Sequence, residues 1–150
     1  GYAGDASGRC HCSHQQIERY RDRISGPLLD RIDLHLTVPT LPKSALSQTD
    51  PHSEPSATVL HRVVNARNIQ LNRQQKSNRE LSTSELEQHC KLSADNQMLL
   101  ETAMEKLNLS ARAYHRIIKV ARTIADLEGK ADIAQPHLSE AISYRTLDRK

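Results

Sequence analysis

The sequence predicts a mainly α-helical protein: a bundle of about five helices over residues 57–150, preceded by a remnant of an α/β layer with one strand. Three observations carry this. From Ala57 onward, apolar residues recur every three to four positions, the period of an amphipathic helix. Serines at 82, 93 and 110 stand where N-caps belong, just ahead of those apolar runs. The one alternating stretch, DLHLTV at residues 33–38, sets Leu34, Leu36 and Val38 against His35 and Thr37, as a strand with one apolar face does.

Residues 1–12 are glycine-rich and polar and read as loop. Ser13 with Gln16 forms a capping-box pattern opening a helix with Ile17, Tyr20 and Ile24 on one face. Ser25-Gly26-Pro27 ends it, and Pro27 suits the first position of a second short helix, PLLDRI. The strand that follows cannot be stable alone, so its neighbours are either missing from this sequence or belong to another chain. Residues 39–56 carry Pro39, Pro42, Pro51 and Pro55 among small polar residues, the composition of a linker and the best domain boundary.

The helix beginning at Ala57 places Leu60, Val63, Val64 and Leu71 on one side. Ser82 and Glu85 form a second capping box, with Leu81 and Leu86 as its hydrophobic staple. The helix capped by Ser93 directs Leu99, Leu100, Ala103 and Leu107 inward. The one capped by Ser110 bears Ala113, Ile117, Val120, Ala121, Ile124 and Leu127, with Gly129 as its C′ stop. A last helix starts near Pro136 and buries Leu138, Ala141 and Ile142.

Composition narrows the function. The net charge is +3, a milder excess than dedicated nucleic-acid binders concentrate on one face. Phe and Trp are absent, which argues against a surface of stacked bases. No apolar run approaches the roughly 20 residues of a membrane span, so a cytoplasmic protein is the expectation. Three cysteines are too few for a disulfide framework, and Cys90 reads as a core residue. No GxxxxGK[ST] loop is present, and no nucleophile is placed beside a base.

The stretch RYRDRISGPLLDRIDLHLTVP resembles the segment that follows the first sensor in magnesium-chelatase-like AAA+ ATPases of the bacterial competence-associated ComM/YifB group. VVNARNIQLNR, NREL, LSARAYHRIIKVARTIADLEG and HLSEAISYRTLDR follow in the order and spacing of that family. Co-linearity over most of the chain makes the match far more specific than any one motif. The resemblance implies that residues 1–38 are the tail of an ATPase core, poorly ordered without its sheet, and that residues 57–150 form the helical lid. The Walker motifs would lie upstream, so this stretch would be inactive alone and hold no nucleotide tightly. ATP and Mg²⁺ are then the cofactors of the intact protein, and its partners are copies of itself in a ring, a hexamer by expectation. DNA remodelling, helicase-like translocation included, is the work the resemblance implies.

By the same resemblance Arg31, in the LLDR turn, is the arginine finger. Arginine suits a neighbour's γ-phosphate because its charge is permanent and its planar fork donates two hydrogen bonds. The simpler alternative is a local ion pair with Asp30 or Asp33. Arg112, in Ser110-Ala111-Arg112, matches the second sensor, where a first-turn arginine can reach a phosphate of the bound ATP. Whether it serves its own subunit's nucleotide or a neighbour's stays open. His115, Lys119 and Arg122 continue its row and read as a solvated face, as do Arg67 and Arg73 on their own helix. Cys10 and Cys12, near His11 and His14, could supply half of a four-ligand zinc site, completed in some relatives by a preceding Cys-x-Cys. Free thiols in a loop are the simpler reading. A rival from another class is a free-standing helix-turn-helix, in which the helices joined by Asn108-Leu109-Ser110 present a basic face to duplex DNA.

Overall fold

The computed structural model describes residues 2–5, 8–38, 41 and 54–145. Among the described residues seven α-helices form, in the order α1 (His14–Arg21), α2 (Gly26–Leu29), α3 (Ser56–Gln74), α4 (Thr83–His89), α5 (Ala94–Leu107), α6 (Ala111–Leu127) and α7 (Gln135–Ser143). A 3₁₀ turn, Asn78–Glu80, lies between α3 and α4. Five helices from Ser56 onward make the expected bundle. Among the described residues no helix is long and apolar enough to cross a membrane. The linker predicted over 39–56 falls almost wholly outside the described residues.

The helix starts follow their caps. Ser13 and Gln16 exchange bonds of 3.3 and 2.8 Å at the head of α1. Ser82 and Glu85 do the same for α4. The hydroxyls of Ser93 and Ser110 each accept one backbone N–H, from Asn96 and Ala113. Glu85 also accepts from Lys76 Nζ at 2.5 Å. That bond, with those from Ser82, holds its carboxyl down at about 2. Two helices stop at left-handed residues, α3 at Gln75 (φ 59°) and α5 at Asn108 (φ 49°). Gly129 (φ 67°) follows α6 in the conformation that a C′ glycine adopts without strain.

Helix α6 is the centre of the bundle. It packs chiefly on α7 and α3, and less extensively on α4 and the 3₁₀ turn. Ala113, Ile117, Ile118, Ala121 and Ala125 form its buried face. Small residues along that stripe let neighbours approach closely, while Leu81, Leu86, Cys90, Leu100, Ile133 and Leu138 fill the space around it.

Leu34–Val38 forms no strand, because among the described residues no partner strand lies beside it. The alternation is also reversed: His35 is buried, whereas Leu34, Leu36 and Val38 face outward. A 2.7 Å bond from His35 N–H to the Tyr144 carbonyl ties the segment to the end of α7. On α3 the stripe Leu60, Val63, Val64 and Leu71 is exposed, and the bundle buries Ala66, Gln70 and Gln74 instead. The reason is a polar interior.

Candidate functional site

That interior centres on Asp126, fully buried near the end of α6. Arg73 of α3 grips it through two nitrogens, at 2.6 and 2.9 Å. Arg122 Nε reaches it at 3.1 Å from one turn earlier on α6, and Asn78 Nδ2 at 2.8 Å from the 3₁₀ turn. Asn78 in turn accepts from Arg73 and Gln74, and its N–H donates to Gln70. Arg122 spends its remaining donors on the carbonyls of Lys130 and Ala131. The guanidinium of Arg73, bonded to this carboxylate, titrates above the ordinary arginine value.

Arg73 and Arg122 are therefore internal, not the solvated residues the sequence predicts. Lys119 too is engaged, donating to the carbonyls of Arg79 and Leu81 at 3.0 and 2.6 Å. A signal for Arg122 was present. It stands four residues after Ile118 and four before Asp126, so it continues a buried row and meets an acid one turn on.

Arg31 is placed differently. Helix α2 opens with Pro27 in its first turn and ends in a turn closed by Arg31 N–H to the Leu28 carbonyl (3.0 Å) and Ile32 N–H to the Leu29 carbonyl (3.0 Å). From the bundle, Arg116 of α6 donates to the Arg31 carbonyl at 2.8 Å and forms an ion pair with Asp33. Arg145, beyond α7, donates to the Ile32 carbonyl at 2.5 Å and lies 3.7 Å from the Asp30 carboxylate. Both acids beside Arg31 are thus drawn to other arginines. The Arg31 guanidinium is exposed and makes no ion pair or hydrogen bond among the described residues.

Arg31 lines a groove of about 750 Å³ between residues 31–36 and α6, with Leu34 and Leu36 on one wall and Arg79, Arg116 and Lys119 among the residues opposite. Arg112 does not line it. That side chain is exposed in the first turn of α6, above the Ser110 cap. Arg67 is exposed too, beside a second, polar groove of about 600 Å³ that shares Arg79 and Thr123 with the first.

Cys10 is half-buried and Cys12 exposed, in the loop before α1. Among the described residues no three His, Cys, Asp or Glu side chains converge as a metal cage. His14 instead lies 3.5 Å from Glu18. Cys90 is buried in the core, and that burial pushes its thiol up to about 11. A disulfide-exchange reagent at pH 8 should therefore label two thiols quickly in the native chain. The third should react only as the chain unfolds. Three equally fast thiols would mean that the Cys90 pocket opens readily.

Residues 53–145 match the family described as magnesium chelatase, subunit ChlI C-terminal, and residues 1–46 match magnesium chelatase, subunit ChlI. The chain belongs to the magnesium chelatase ChlI family. Within that family it falls in the ComM/YifB group. It is 51% identical over 137 residues to the competence protein ComM of Haemophilus influenzae, covering 91% of this chain and 27% of that protein. It is 48% identical over 138 residues to the uncharacterized protein YifB of Escherichia coli, covering 92% of this chain and 27% of that protein. The uncharacterized protein Mb2921c of Mycobacterium bovis is 32% identical over 140 residues, again covering 91% of this chain and 27% of its own length. The chain thus spans about a quarter of the length of these curated relatives.

Proposed function

We propose that this chain is the arginine-finger and lid portion of an AAA+ ATPase that assembles as a ring, a hexamer in the simplest case, and remodels DNA in the cytoplasm. Residues 1–38 are the tail of the ATPase core, residues 39–56 the linker and residues 57–150 the lid. Arg31 reaches the γ-phosphate of ATP held by the neighbouring subunit, and Arg112 contacts a phosphate as the second sensor. Mg²⁺ accompanies the ATP, and the remaining part of the intact protein supplies the pocket that cradles it.

The observation that carries this reading is the state of Arg31. It stands on a turn fixed from behind, both adjacent carboxylates are engaged elsewhere, and its guanidinium is exposed. A preorganised cation of that kind lowers the barrier where charge develops on a transferring phosphoryl group. The helix-turn-helix rival is weakened by the same bonding pattern, since Lys119 and Arg122 of its recognition helix are occupied internally. Arg31→Ala in the intact protein tests the reading. ATP should still bind and hydrolysis should stop; a fully active variant would remove the finger. Steeply salt-dependent, tight duplex binding by residues 54–145 would favour the rival instead.

A further inference from the structure

The turn that carries Arg31 is held by the lid. Four of its groups are anchored from α6 and the end of α7. Arg116 takes the Arg31 carbonyl and the Asp33 carboxylate, and Arg145 takes the Ile32 carbonyl and faces the Asp30 carboxylate. His35 N–H adds a fifth tie, to the Tyr144 carbonyl. Without these arginines, Asp30 and Asp33 would be released beside Arg31, and either could capture its guanidinium in a local pair.

We propose that Arg116, seconded by Arg145, is a positioning residue for Arg31: it fixes the backbone of the finger turn and removes Asp33 as a competitor for the guanidinium. This rests on the assignment of Arg31 as the finger. Arginine fits the task because the two N–H groups of Nη1, fixed in the guanidinium plane, serve the carbonyl and the carboxylate together, which a freely rotating lysine ammonium does less specifically. The effect reaches catalysis through geometry. A misplacement of about 1 Å at a group remote from the chemistry can cost on the order of 100-fold in rate.

The experiment is a double-mutant cycle on ATP hydrolysis by the intact protein, with Arg31→Ala, Arg116→Ala and the combined variant. Arg116→Ala should lower kcat roughly 10- to 100-fold with KM for ATP little changed, as expected where the affected group acts in the transition state. In the combined variant the Arg116→Ala loss should vanish, leaving the rate of Arg31→Ala alone, because a positioning residue has nothing to position. Asp33→Asn, at an exposed site, should recover part of the kcat lost in Arg116→Ala when the two are combined, because it removes the competitor that Arg116 otherwise holds. Full additivity in the cycle would overturn the proposal by reducing Arg116 to a prop for the lid. So would unchanged kcat in Arg116→Ala while Arg31→Ala is inactive; that result would leave the finger itself standing. If Arg31→Ala retains full kcat, the finger reading falls first and the positioning role falls with it.

Discussion

Asp126→Asn should destabilise the bundle by about 3–5 kcal/mol, the usual loss when one partner of a buried ion pair is removed. This is a large share of the roughly 5–15 kcal/mol that holds an ordinary domain together. The carboxylate accepts from Arg73, Arg122 and Asn78 at once, and Arg122 is only 1% exposed. An asparagine in its place still offers one oxygen, but it leaves the buried Arg122 charge with only the dipoles of the Lys130 and Ala131 carbonyls. Urea denaturation followed by circular dichroism measures the loss. Arg62→Ala is the control. It removes a 2.7 Å pair with Glu54 whose side chains are both well exposed, and it should cost no more than about 1 kcal/mol. Equal shifts in the two variants would contradict the view that the interior charges hold α3 to α6.

Arg31→Ala should cut the ATP turnover of the intact protein by roughly 10³- to 10⁵-fold, the range that arginine fingers contribute to phosphoryl transfer. Arg31→Lys should recover little of it, since lysine restores the charge without the fork. Helical content should not change in either variant, because the Arg31 side chain makes no polar contact within the described fold. Steady-state ATPase measurements paired with nucleotide binding separate this outcome from loss of the binding site. Arg112→Ala makes the informative contrast, because removing a residue that holds phosphate in the ground state raises KM as well.

The sequence made the helices readable and hid the polar interior. Capping pairs such as Ser13 with Gln16 and Ser82 with Glu85 are local, so they survive in any tertiary setting and mark helix starts directly. Arg73 and Asp126 are 53 residues apart, and no local rule joins them. Periodicity misled on α3 for the same reason. Its apolar stripe looked like the core face, yet Gln70, Gln74 and Arg73 point inward because their partners wait on the 3₁₀ turn and on α6. The segment 34–38 carried a valid strand pattern, but a strand is a property of a pair. The assignments of Arg31 and Arg112 rest on family resemblance alone. What the sequence did not offer was the removal of Asp30 and Asp33 from the reach of Arg31, which depends on arginines 83 or more residues away.

The overhang of α3 has a thermal consequence. From Ser56 to Asn65 no side chain is buried, and Pro55 provides no side-chain cap. Ten residues fall short of the roughly 12–15 at which a solitary helix becomes even marginal in water, so this half keeps its shape only by continuing the turns of the docked half. On warming it should fray from Ser56 and unzip as far as Asn65, while Ala66–Gln74 melts only with the core. Amide exchange would draw that border as a step near Ala66, fast before it and slow after.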